Sequence, residues 1–173
     1  MNPAPAQTAI GIDDVLDVRE VDDGRAVAGE LFQRRYREQA PDFPLHIVAF
    51  WKAPDGREHP VCYIHFTPQG ELMLGGGACT DDHLLRRLPA DHRAALRAAG
   101  GVYRHALTRS VDLLSSRCKA IFGYCGDPLA GRIDRAVGFR ETAHPHLLVY
   151  FTRDLPSAEQ DALIAQANAV GPF

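Results

Sequence analysis

No stretch of this chain stays apolar long enough to cross a bilayer, and its first twenty residues lack a basic start followed by an apolar run. The expectation is a cytoplasmic protein with no membrane partner. Positive charge is not in excess either. Nineteen Lys and Arg stand against 22 Asp and Glu, a formal net charge of -3, so the field that nucleic acid would call for is missing and no nucleic-acid partner is expected. Cysteine is sparse: Cys62, Cys79, Cys118 and Cys125 form no Cys-x-x-Cys pair, and a chain with an ordinary core does not depend on disulfides, so free buried thiols are expected. Metal-ligand spacing is lacking as well. The HPH at 144–146 would put two imidazoles on one face of a strand, but no third ligand follows at a recognisable spacing, and no metal is expected. No internal repeat or low-complexity block is found.

What is present suits one domain. The 173 residues are 46% hydrophobic and 24% charged, enough for a single well-buried core. Residues 1–14, opening with MNPAPAQTAI, are expected as a loosely held lead-in, 15–155 as the main domain, and 156–173 as a helical extension packed on it. VLDVREV (15–21) alternates like a half-buried strand. A helix is predicted over 24–39, with Val27, Leu31, Phe32 and Tyr36 toward the core. PDFP (41–44) breaks the chain. Strands are then expected over 45–53 and 59–67, joined through PDGRE, and a third over 71–79 that contains three consecutive glycines. Those glycines fit either a bend in the sheet or a surface against which something thin lies.

Helices are predicted over 90–99 and 102–116, parted by Gly100 and Gly101, because two glycines inside one helix would cost about 2 kcal/mol relative to alanine. A helix-helix corner would also explain the pair. A buried strand over 118–126, a helix opened by Asp127 and Pro128, a strand over 146–154 and a helix over 158–169, capped by Ser157 and Gln160, complete the chain. In the helix of GDPLAGRIDRAVGF (126–139), Leu129, Ile133, Ala136 and Val137 form an apolar face and Gly138 can end it in the left-handed conformation. Asp134 falls on the edge of that face. The positions three and four away are Gly131, Ala130, Val137 and Gly138, so the carboxylate needs a partner from elsewhere: a distant Arg or a backbone amide.

The order strand, helix, three antiparallel strands, helix, strand, helix, strand over residues 15–153 resembles the GCN5-related N-acetyltransferase (GNAT) superfamily. Asp127, Ala130, Ile133, Asp134, Gly138 and Phe139 match the spacing of a pattern that this superfamily often carries, with Asp at its usual Asn and Tyr positions. Arg97, Gly100 and Val102, from RAAGGV, match its pyrophosphate loop except at the last position, where Gly or Ala is usual; Gly101 could serve through a shift in register. The resemblance implies an α/β (α+β) fold, a mixed, mostly antiparallel central sheet flanked by helices. It also implies an N-acyltransferase with acetyl-CoA or another acyl-CoA as donor and a small-molecule or peptide amine as acceptor, with a homodimer allowed. Gly77, Ala78 and Cys79 would bind the pantetheine arm, Arg97, Gly100, Gly101 and Val102 the pyrophosphate, and Asp127 and Ala130 would belong to the same cofactor surface.

Three residues are candidates for chemistry. His65 is the candidate base, with Tyr63 two residues before it on the same strand face as a substrate-positioning group. Asp134 stands where the resemblance places a tyrosine that protonates the departing thiolate, and Tyr124 is the candidate replacement phenol. Cys79 and Cys125 have no activating basic neighbour at a recognisable spacing and read as packing residues. The Arg pairs at 34–35 and 86–87 fit a phosphate, a carrier protein or a solvated helix face. Two other readings stay open: a GNAT-like ligand-binding or regulatory domain without transfer activity, and an acyltransferase with an acyl-carrier-protein donor.

Overall fold

The structure is a computed structural model, and it describes residues 10–40, 42 and 45–173. The lead-in up to residue 9 and most of the PDFP break (41, 43 and 44) lie outside the described residues. In chain order the elements are α1 (Ile12–Val15), β1 (Leu16–Val21), α2 (Gly24–Tyr36), β2 (Leu45–Lys52), β3 (Glu58–Gln69), β4 (Leu72–Thr80), α3 (Asp82–Leu85), α4 (Ala90–Ala98), α5 (Val102–Leu114), β5 (Ala120–Tyr124), α6 (Pro128–Val137), β6 (Arg140–Glu141), β7 (Leu147–Phe151) and α7 (Ser157–Val170). The strands form one sheet in the order β1-β2-β3-β4-β5-β7-β6. Every neighbouring pair is antiparallel except β4 and β5, which run parallel.

Strand alternation decides which helix covers which face. Ile47 and Ala49 of β2, Cys62, Ile64 and Phe66 of β3, Met73 of β4 and Ile121 of β5 point to one side, where Ala106, Leu107, Val111 and Leu114 of α5 close the core. Val48, Phe50 and Tyr63 point to the other side and meet Ala28, Leu31 and Phe32 of α2. Further along that same face Leu72, Leu74, Ala120 and Phe122 meet Leu163 and Ala167 of α7. The sheet is thus sandwiched, with α5 on one face and α2 and α7 on the other.

Several local expectations change. Val15 ends a short helical turn instead of opening β1, and α2 stops at Tyr36 because Arg37 turns left-handed at φ 63. Ser157 is the first helical residue of α7, not its cap; Gln160 Nε2 donates to the Leu155 carbonyl at 2.8 Å, so the reciprocal cap does not form. His144 and His146 lie in the turn before β7, with His146 at φ 67, and so do not alternate on a strand. Among the described residues no three His, Cys, Asp or Glu side chains gather as metal ligands. In α6, Asp127 caps the Leu129 amide at 2.8 Å and Gly138 closes the helix at φ 119, as the punctuation predicts. Its expected face is only partly buried: Val137 packs against the core, but Leu129 is 62% exposed, and Gly131 and Asp134 are buried.

Candidate active site

The parallel pairing of β4 with β5 lasts from Leu72/Ala120 to Gly75/Gly123 and stops there. Beyond that point a cavity of about 560 Å³ occupies the gap. Residues 75–80 of β4 form one wall and residues 123–127 the other. Tyr103 and Leu107 of α5 with Ile133 and Asp134 of α6 line it from one face of the sheet, and Arg35 and Tyr36 of α2 from the other. A cleft reached from both faces can bring two reactants together end to end.

On the α2 side, β4 carries an irregularity that explains its glycines. Ile64 pairs with Ala78 and Phe66 with Gly75, so His65 alone faces both Gly76 and Gly77. The imidazole lies over Gly76 so closely that a Cβ there would sit 1.9 Å from His65 Nε2. The same Nε2 accepts the Gly77 amide at 3.1 Å. Nε2 is therefore the unprotonated nitrogen of this ring. Burial, helped by neighbouring His46, lowers the His65 pKa to about 4, which keeps the acceptor available. Tyr63 stands beside it, fully buried, with its hydroxyl 2.9 Å from His46 Nδ1. One residue further along β4, the Tyr36 hydroxyl donates to the Ala78 carbonyl at 2.8 Å.

On the α5 and α6 side the cleft holds a phenol and a carboxyl. Tyr103 donates its hydroxyl to Asp134 Oδ1 at 2.8 Å, joining the first turn of α5 to the buried side of α6. Asp134 is only 6% exposed. Burial pushes its pKa up, while the Tyr103 hydroxyl and the adjacent Cys125 thiol pull the other way. Tyr103 is pushed up in turn by burial and by the Asp134 charge, so it stays a neutral donor. The Asp134 partner is therefore a tyrosine from another helix, not the Arg or backbone amide expected from sequence.

The loop before α5 is built from two left-handed glycines, Gly100 at φ 83 and Gly101 at φ 101. No side chain caps the helix they open, so amides of its first turn keep their full partial charge. The Val102 side chain, 6% exposed, packs into the α5 core. It does not project over the loop. Arg97 lies in the last turn of α4, and neither it nor residues 100–102 line the cavity.

Of the residues selected from sequence, Gly77, Ala78, Cys79, Tyr124, Asp127, Ala130 and Asp134 line the cleft. His65 and Tyr63 lie on the α2 face and do not line it: His65 is held against Gly76 and Gly77, and Tyr63 is fully buried beside His46. Cys79 is buried and its thiol is pushed up to about 12 by burial, a poor nucleophile. Tyr124 is half-exposed, with its ring against His146 and Phe173. Sequence reasoning misses Tyr103, which directly follows Val102 at the start of α5, and the hydroxyl of Tyr36, which reaches Ala78 instead of turning into the core.

No protein-family model and no curated protein matches the chain. Solved structures do. The ribosomal-protein-S18-alanine N-acetyltransferase from Escherichia coli is similar over 82% of this chain and 97% of its own, with a TM-score of 0.53 at 11% identity. The ribosomal-protein-S5-alanine acetyltransferase from Vibrio fischeri covers 82% and 95%, with a TM-score of 0.52 at 10% identity. Tetrahymena GCN5 covers 81% and 98%, with a TM-score of 0.51 at 10% identity. The architecture is that of a mixed sheet opened between two parallel strands, with helices on both faces. This is the GNAT fold.

Proposed function

We propose that the protein is an acyl-CoA-dependent N-acyltransferase, transferring an acetyl group to a small amine or an amino-terminal group. The observation that carries this reading is the cleft lined from both faces where β4 and β5 part beyond Gly75 and Gly123. The fit to an acyl-CoA donor is favourable at three points. Residues 75–77 carry no side chains on the wall that a thin pantetheine arm would follow. The uncapped start of α5 attracts a pyrophosphate through its amides and dipole, and Val102 turns away from it. The buried phenol and carboxyl of Tyr103 and Asp134 stand in the cleft where a proton donor is useful.

The thioester supplies an acyl carbon open to attack by a neutral amine. In the transfer a nitrogen-carbon bond forms, the carbon-sulfur bond breaks, the amine loses a proton and the thiolate gains one. Tyr103, whose buried phenol stays neutral, supplies the proton to the thiolate, and the Asp134 carboxylate that accepts its hydroxyl at 2.8 Å holds the phenol in place. His65 acts here as a positioning residue, not as the base. By holding the Gly77 amide from behind, it fixes the irregular segment of β4 and so the direction of the remaining amides that meet the acyl oxygen.

Calorimetric titration with acetyl-CoA tests the reading. Micromolar affinity, about -8 kcal/mol, is expected, with a loss of about tenfold or more in Gly100→Val if the loop holds the pyrophosphate. Absence of binding removes the acyl-CoA reading. It would favour a carrier-protein donor, a reading supported by the position of Arg97 and residues 100–102 outside the cavity lining.

A further inference from the structure

The two arginines at 34–35 have separate fates. Arg34 pairs with Asp81 at 2.7 Å. Arg35 turns to the cleft, where it is the one basic side chain among the lining residues. Among the described residues no carboxylate lies within ion-pair distance of it. The three carboxyls of the lining are each already served by a donor of this chain: Asp82 by the Thr80 hydroxyl at 3.1 Å, Asp127 by the Leu129 amide at 2.8 Å, Asp134 by Tyr103 at 2.8 Å.

The cleft is therefore polarised. Its α2 mouth carries the exposed guanidinium of Arg35, with Asp82 on the same side but beyond ion-pair distance, while Asp127 and Asp134 lie on the α6 side. We propose that the acceptor is a small amine that also bears a carboxylate, an amino acid in chemical class, with its carboxylate on Arg35 and its amine directed inward. This rests on the acyltransferase reading above. A guanidinium matches the planar fork of a carboxylate. A phosphate dianion fits less well, because three lining carboxyls would repel its second charge. The same carboxyls favour entry of the ammonium form, which must then lose a proton before it attacks. Arg35 is also reached from the face opposite Tyr103 and Asp134, so a donor placed against those two residues leaves it to the acceptor.

The experiment is equilibrium binding of the common L-amino acids and of their carboxamides to the full chain, with and without saturating CoA, alongside an acetyl-CoA titration of each protein sample. At least one amino acid is expected to bind about tenfold or more tightly than its carboxamide. Arg35→Gln should erase that preference and leave acetyl-CoA affinity unchanged. Equal binding of acid and carboxamide, or no binding of any amino acid, overturns the proposal. So does a weaker acetyl-CoA affinity in Arg35→Gln, which would move Arg35 to the donor. Failure of the wild-type protein to bind acetyl-CoA is read separately and strikes the acyltransferase reading itself.

Discussion

Replacing Tyr103 with Phe removes one oxygen from the interior and leaves Asp134 without its 2.8 Å donor. Since Asp134 is 6% exposed, water does not readily take the place of the phenol. A hydrogen bond to an ionised, buried group contributes about 1.5–3 kcal/mol, and in a domain of this size about 1 kcal/mol shifts the melting temperature by about 2–4 °C. The expected loss is thus about 3–12 °C at neutral pH. Its pH dependence is the sharper part. Burial raises the folded-state pKa of Asp134, so the native protein binds this proton more tightly than the unfolded chain; the resulting stability is full at low pH and is lost as pH rises through the raised value. Tyr103 opposes that rise by favouring the ionised form. Without the hydroxyl, the loss on raising pH deepens, and the penalty of Tyr103→Phe should be larger at pH 8 than at pH 4. In an Asp134→Asn background the slope should flatten, and the same substitution should cost only about 0.5–1.5 kcal/mol, the value for a neutral hydrogen bond. Urea unfolding of the four proteins at both pH values measures the cycle. A penalty below about 0.5 kcal/mol, or one equal at both pH values, refutes the coupling.

Two further perturbations test the back of β4. His65 has a folded-state pKa near 4 against an ordinary 6.5, so the unfolded chain binds more protons between those values and stability should rise with pH across that window, by about 3 kcal/mol at most. His65→Gln should flatten the rise in denaturant melts between pH 4.5 and 7.5, and an unchanged slope dismisses the buried imidazole as its source. Gly76→Ala should cost about 1–3 kcal/mol, because its Cβ would overlap His65 Nε2 at 1.9 Å, whereas Gly77→Ala meets the Tyr36 hydroxyl at 3.3 Å and should be milder. Equal thermal melts for the two variants would contradict the clamp.

The elements were largely legible because their signals are local. Alternation in β3 separated Ile64 and Phe66 from Tyr63 and His65, and Asp127, Pro128 and Gly138 marked both ends of α6. Periodicity misled in part within α6: Val137 packs against the core as its position suggested, but Leu129 is exposed, and the buried Asp134 meets Tyr103 of α5. The strand face of His65 was predictable, but not that its ring would be held against Gly76 and Gly77 instead of lining the cleft.

By itself the sequence determined both ends of α6, the shared strand face of Tyr63 and His65, the closely spaced glycines of β4 and the lack of a local partner for Asp134. These depend on residues a few positions apart. The tertiary structure alone decided that Tyr103 meets Asp134, that His65 holds Gly77, that Tyr36 holds Ala78, and that Arg34 finds Asp81 while Arg35 does not. Those contacts join elements 12 to 47 residues apart, and their partners follow from strand order, the slip in β3-β4 pairing and the parting of β4 from β5. A period of two or 3.6 residues carries no record of which element will lie opposite.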